Sequence, residues 1–258
     1  MSPSFARRVI WLGLFALAAG GCGGSPASPS PVRETLALVG ETPNYIHHAS
    51  AGDTIDAAWQ ERYHVWATAA LGVTPPRKIT YNKYRSRVHM ESVVGVGNAN
   101  AWADRDAYAI HTIFPVDNHE VVHLFTSAWG TPVALINEGM AVAFQVDPGR
   151  DLTPRWSGTP LHDLARQFRQ QGRLVALAQL TETASWRSQD SSVAYPESGS
   201  FVRWLIDAHG LDRVRALYAR AAGSNESAEG VRASFAAVYG LSLDELERAW
   251  LGFLGGSG

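Results

Sequence analysis

The sequence predicts an α+β fold: a small mixed sheet with the helix carrying His119-Glu120-Val121-Val122-His123 packed on it, followed by a mostly helical C-terminal half. Three observations lead there. Short apolar or alternating runs of strand length fill the chain before residue 115. Residues 117–128 combine helical spacing with start and stop signals. After Pro132 almost every periodic segment has the 3.6-residue period of a helix.

Taken in order, residues 36–39 and 45–49 suit short strands. Residues 53–71 read as a helix capped by Asp53 and ended by Gly72 with Pro75-Pro76. In residues 78–84, Ile79, Tyr81 and Lys83 alternate like a half-buried strand. Residues 86–106, with Gly95, Gly97 and two asparagines, predict a loop or bulged hairpin. Residues 108–114 form a strand running into the next helix, which a capping box from Asp117 to Glu120 opens and Trp129-Gly130 closes. Thr131-Pro132 then restarts a helix, cap residue first and proline at the first helical position. Helices are expected over 132–145, 161–170, 197–208, 211–222, 228–239 and 243–254, with a polar loop over 181–195. The two halves, 36–130 and 131–258, form lobes sharing a core, which a chain of 258 residues and 46% hydrophobic content permits.

The charge balance is 22 basic against 24 acidic residues with no basic run, so a nucleic-acid partner is not expected. Arg7-Arg8, the apolar stretch 9–19 and small residues up to Gly21 read as a signal peptide over 1–21, too short to span a bilayer. The single cysteine, Cys22, sits at the processing point in a pattern that resembles a bacterial lipobox. That resemblance implies an exported lipoprotein anchored to a membrane through lipidated Cys22, facing the periplasm or cell exterior. Residues 22–35, rich in Gly, Ser and Pro, supply a flexible tether.

Positions i and i+4 of a helix lie one turn apart on one face, so His119 and His123 can hold one zinc ion. Glu120 then lies beside the metal, free to take a proton from water. A catalytic zinc usually wants a third protein ligand, and Glu138 on the next helix is the obvious supplier. The run 133–144 around it is otherwise apolar but for Asn137, where a charged side chain is costly unless paired or metal-bound.

These residues resemble the gluzincin clan of zinc peptidases, in which HExxH gives two ligands and a downstream Glu the third. Ile136-Asn137-Glu138-Gly139-Met140-Ala141 is similar to the corresponding helix of the aminopeptidase-N branch and its smaller bacterial relatives, the peptidase MA-like proteins. The resemblance implies a thermolysin-like catalytic core, one zinc on His119, His123 and Glu138, Glu120 as general base, and Tyr195 as donor to the tetrahedral oxyanion. The chain departs from the pattern in three places. Gly95 to Ala101 carries no GxMEN-like exopeptidase signature, three residues rather than two separate Tyr195 from Gly199, and Val142 stands where thermolysin-like enzymes place an Asp behind a zinc-bound His. Another group is then expected to hold that His. Thr126 and Trp129 exclude a metzincin.

The leading expectation is a zinc-dependent peptidase acting on peptide or protein substrates, with endopeptidase and aminopeptidase both open. The rival is a non-catalytic envelope lipoprotein that uses the scaffold for binding or assembly; zinc-dependent cleavage of a non-peptide ester or amide is a third reading. Among other residues, His111 reads first as a hydrogen-bonded histidine. His47-His48, adjacent on a strand, point to opposite faces and cannot chelate together. Asn137 is either an orienting group for Glu138 or a surface amide, Asp104-Arg105-Asp106 a solvated turn, and Trp102 and Trp129 core residues first and cleft residues second.

Overall fold

Alternation in the first half builds a five-stranded sheet: β1 (Ala37–Glu41), β2 (Tyr45–Ala49), β3 (Ile79–Lys83), β4 (Ala101–Asp104) and β5 (Ala109–Thr112), in the order β1-β2-β3-β5-β4. The central strands β2, β3 and β5 are parallel, and both edge strands pair antiparallel. The computed structural model describes residues 35–95, 97, 99–222 and 227–256. The expected signal peptide, Cys22 and the tether up to residue 34 lie outside the described residues. Among them no helix is long and apolar enough to cross a membrane. Tyr45, His47 and Ala49 of β2 and Ile79, Tyr81 and Lys83 of β3 are buried, while the residues between them are not. His47 and His48 thus face opposite sides, and His47 bonds Gln60 across 2.8 Å through Nε2.

Helix α1 (Ala57–Leu71) connects β2 to β3. Its cap is Asp56, which accepts from the Trp59 amide, and not Asp53 as expected. Asp53 is engaged elsewhere, paired at 3.1 Å with the buried ammonium of Lys83. The region expected to be a loop or bulged hairpin holds the helix α2 (Arg87–Val94), between an Ser86 cap and Gly95 in the left-handed conformation, and then β4. Helix α3 (Asn118–Thr126) starts at the Asp117 cap as predicted, and a 3₁₀ turn, Ser127–Trp129, ends it.

Helix α4 (Ala134–Ala143) begins two residues later than the Pro132 start the sequence predicts. Its first amide, Ala134 N, donates to Thr183 Oγ1 at 3.1 Å, so the cap comes from a distant segment. A small hairpin of β6 (Arg155–Trp156) and β7 (Thr159–Pro160) leads to α5 (Leu161–Gln170). The expected polar loop contains α6 (Thr183–Arg187), and α7 (Ser191–His209) starts at an Asp190 cap, six residues ahead of the predicted start. Pro196 stands inside α7, where its missing amide removes one hydrogen bond of a 19-residue helix. Helices α8 (Leu211–Ala222), α9 (Ala228–Tyr239) and α10 (Leu243–Gly255) follow, the last with a full capping box between Ser242 and Glu245. The described residues form one unit, and Tyr45, Val122, Met140, Phe201 and Trp250 belong to one buried cluster spanning both halves.

Helices α4 and α7 approach each other closely through one glycine on each. A Cβ on Gly139 would meet Ser198 O and Val202 Cγ2, each at 2.7 Å, and one on Gly199 would meet Val142 Cγ1 at 2.4 Å. Gly in a helix costs about 1 kcal/mol relative to Ala, and overpacking a dense core typically costs about 1–3 kcal/mol, so close packing decides the residue. Gly139→Ala and Gly199→Ala should therefore lower Tm despite their better helix propensity. Gly252→Ala on α10, with nothing within 4 Å of its Cβ, should raise it slightly. Differential scanning calorimetry of the three variants tests this; stabilisation by Ala at 139 or 199 would refute the close crossing.

Beneath the same helix Glu197 is fully buried. Its Oε2 accepts from Val175 N at 3.1 Å, while Oε1 has no partner. Burial, reinforced by Glu247, pushes this carboxyl from 4.5 to about 8. Because the folded state binds the proton more tightly than the unfolded chain, this contribution to stability is full below 4.5 and is lost as pH rises to about 8. Glu197→Gln imitates the protonated form. Its Tm advantage over wild type should grow by roughly 5 °C between about pH 5 and about pH 9. A pH-independent difference in thermal melts would rule out the buried protonated carboxyl.

Candidate metal centre

Asp117 turns the chain from β5 into α3. One carboxylate oxygen accepts from the Glu120 amide at 3.2 Å and the other from Thr112 Oγ1 at 2.8 Å. The second half of the predicted capping box is not formed, because the Glu120 carboxylate turns to the cleft instead. Burial raises the Asp117 carboxyl, against the pull of His119 and of its hydrogen bonds.

From this start, α3 places His119 and His123 one turn apart, with ring centroids 4.7 Å from each other. Helix α4 brings Glu138 to both. Glu138 Oε2 lies 2.9 Å from His119 Nε2 and 3.4 Å from His123 Nε2. Burial works against ionisation of Glu138, but His123 and His119 outweigh it and hold the carboxyl well below the ordinary carboxylate range. Glu120 is also close: His119, Glu120 and His123 form a group, with one donor atom of each within 4.8 Å of the others, that could hold a metal ion. Burial, then the Asp117 charge, pushes the Glu120 carboxyl up to about 8.

These residues fit a zinc ion on their donor chemistry and spacing. Around zinc with ligands at roughly 2.0–2.2 Å, tetrahedral donors sit roughly 3.3–3.6 Å apart. The His119 separation of 2.9 Å would open by about 0.4–0.7 Å, and the His123 separation of 3.4 Å by about 0.2 Å at most. Glu138 bridges both imidazoles, so it fits as the third ligand better than Glu120, whose carboxylate makes no hydrogen bond to either ring.

The centre lies in a cleft of about 1720 Å³, walled by Trp102, Ala103 and Arg105 on the sheet side and by Trp156, Arg187 and Tyr195 on the helical side. Tyr195 stands on the second turn of α7, not in a loop, with its ring 5.9 Å from that of His119. Trp156 stacks on Tyr195 at 5.4 Å and Trp186 packs edge-on at 4.6 Å, fixing the phenol in place. Burial, with Glu138 nearby, raises the Tyr195 phenol and keeps it a proton donor. All five predicted site residues, His119, Glu120, His123, Glu138 and Tyr195, line this cleft.

Behind the centre the structure departs from expectation. Among the described residues His123 Nδ1 is buried with no hydrogen-bond partner, and Val142 packs against α7. The orienting contacts fall on Asn137 instead. Its Oδ1 accepts from Tyr218 Oη at 2.5 Å and from Arg105 Nη2 at 3.3 Å, and Tyr218 Oη also lies 3.1 Å from Thr126 Oγ1. Arg105, read as part of a solvated turn, therefore reaches the α4 helix. Tyr218 and Trp186 had no local signal; distant packing alone brings them here. His111 bonds the Tyr84 hydroxyl at 2.9 Å, as expected of a structural histidine, and Trp102 stacks on it while lining the cleft. Trp129 packs against Tyr218, away from the centre.

Comparisons with models of known protein families, with curated proteins and with solved structures find no match. The site is thus read on its own geometry. Removing one hydroxyl from the buried Tyr218 should leave Asn137 short of a donor. Tyr218→Phe is expected to destabilise the protein by about 1–2 kcal/mol. In a double-mutant cycle with Asn137→Ala the two losses should fall short of additive. Additive losses in urea melts would show that the contact carries no energy.

Proposed function

We propose that this protein is a zinc-dependent peptidase of the gluzincin type, exported and held at a membrane through lipidated Cys22. The observation that carries the reading is the meeting of His119 Nε2, His123 Nε2 and Glu138 Oε2 at 2.9 and 3.4 Å, with a separate buried carboxylate, Glu120, beside them in an open cleft. The mixed sheet with α3 packed on it and the helical second half belong to the α+β class that this reading requires.

In this reading His119, His123 and Glu138 hold the ion. Bound there, zinc supplies positive charge that polarises a substrate carbonyl and makes water more acidic. Glu120 accepts a proton from the attacking water onto its carboxylate and returns it to the amine nitrogen that leaves. Burial beside Asp117 raises this carboxyl above the ordinary carboxylate range, which favours keeping a proton once it is taken up. Tyr195 Oη donates a hydrogen bond to the carbonyl oxygen as it gains negative charge, and Trp156 and Trp186 restrain the ring. The partly buried centre limits the water that competes for these donors.

The test separates metal holder from proton carrier. Wild type and Glu120→Gln should each carry about one zinc per chain, and His123→Ala little or none, by elemental analysis. At matched zinc occupancy, hydrolysis of a mixed peptide library should fall by about 10²–10⁴ in Glu120→Gln and by about 10²–10³ in Tyr195→Phe. Undiminished turnover in Glu120→Gln would end the mechanism. Zinc-loaded wild type that cleaves no peptide would leave the non-catalytic scaffold in its place.

A further inference from the structure

Three guanidinium groups that line the cleft have no ion-pair partner among the described residues: Arg105, Arg187 and Arg150, the last two of them exposed. Arg105 follows β4 and is partly buried. One of its arms donates to Thr131 Oγ1 and another to Asn137 Oδ1, both neutral acceptors. Asp104 and Asp106 flank it, but neither pairs with it, and Asp104 Oδ1 accepts from Ala107 N at 2.9 Å. Arg187 ends α6, a short helix pinned at both sides: Thr183 caps Ala134 N, and Trp186 packs on Tyr195. Among the described residues neither Arg105 nor Arg187 is ion-paired, and both line the cleft that holds Glu138. Arg155, by contrast, is already paired with Asp151 at 3.3 Å.

A partly desolvated cation with only neutral acceptors forgoes the partner that would offset its desolvation. Arg105 is also pre-organised, since Asn137 is itself clamped by Tyr218 and sits one residue before Glu138. A guanidinium held in this way offers its remaining N–H donors as a fork, the geometry that suits a carboxylate. We propose that Arg105 and Arg187 form an anion subsite next to the metal centre, which takes a carboxylate of the bound peptide. That carboxylate belongs either to the free C-terminus of the chain or to an Asp or Glu side chain. The proposal rests on the peptidase reading for the identity of the ligand as a peptide. It names a substrate preference which that reading leaves open.

Binding, measured apart from turnover, tests it. The probe is a library of N-acetylated tetrapeptides in three matched sets: free C-terminus without acidic residues, amidated C-terminus with one Asp or Glu, and amidated C-terminus without acidic residues. Zinc-loaded protein carrying Glu120→Gln retains bound peptides without consuming them, and mass spectrometry of the unbound fraction gives the retention of each set. One of the two anionic sets should be retained about tenfold better than the neutral set, and which one identifies the source of the carboxylate. Adding Arg105→Gln or Arg187→Gln should bring that ratio towards one, and Arg105→Lys should restore it only in part, because the charge returns without the fork. Adding Arg155→Gln, which removes the same charge from the same cleft, should leave the ratio in place. Equal retention of all three sets, no retention of any set, or a ratio insensitive to Arg105 and Arg187, overturns the subsite. The same library offered to zinc-loaded wild type reports separately on cleavage. Retention of anionic peptides without cleavage would sink the peptidase reading and leave the subsite standing.

Discussion

The α4–α7 crossing sets the position of nearly everything that matters in this molecule. Two helices normally pack 8–10 Å apart because their side chains stand between them. Here Gly139 and Gly199 each face the partner helix at a point where a single added methyl group would overlap it. Their absence of side chains lets Glu138, beside one glycine, and Tyr195, one turn before the other, converge on the same cleft. The residue after Glu138 is thus small for a reason of packing, and the site is built on two rigid helices, which hold side chains more accurately than loops do.

Burial and pairing then divide the carboxyl groups around the centre. Glu138 is largely enclosed, but the two imidazoles against it hold its carboxyl well below the ordinary range. Glu120 is equally enclosed and faces Asp117, so its proton is held far more tightly. Two glutamates within one cleft are thereby driven in opposite directions, one towards the ionised form and one towards the protonated form. The His123 ring stands out, because its second nitrogen is buried without a hydrogen-bond partner among the described residues. Orientation of the centre passes instead through the backbone of α4, which Asn137, Tyr218 and Arg105 hold from behind.

How much of this was legible in the sequence depended on how local each cause is. Asp117, the two histidines, and the glutamates at 120 and 138 carry their own spacing, and they meet as their spacing implies. Most helix limits after residue 160 also follow local caps. The α2 helix was hidden by Gly95, Gly97 and the asparagines after it, although Ser86 and Gly95 were themselves usable cap signals. Pro196 drew the predicted start of α7 too far along, because a proline usually opens a helix and here sits inside one. The start of α4 depends on Thr183, 49 residues away, and Arg105 reaches Asn137 across 32 residues. No periodicity contains such contacts. They appear only when the chain is folded.

The aromatic lining of the cleft gives the protein an optical property as well as a shape. Trp59, Trp102 and Trp156 border the cleft, and Trp156 lies flat against Tyr195. Indole emission responds to the polarity and quenching groups around the ring, so an occupant that displaces water from these walls alters the light the protein itself emits. Occupancy of the cleft is therefore readable in unlabelled protein, with no chromophore attached and no turnover required.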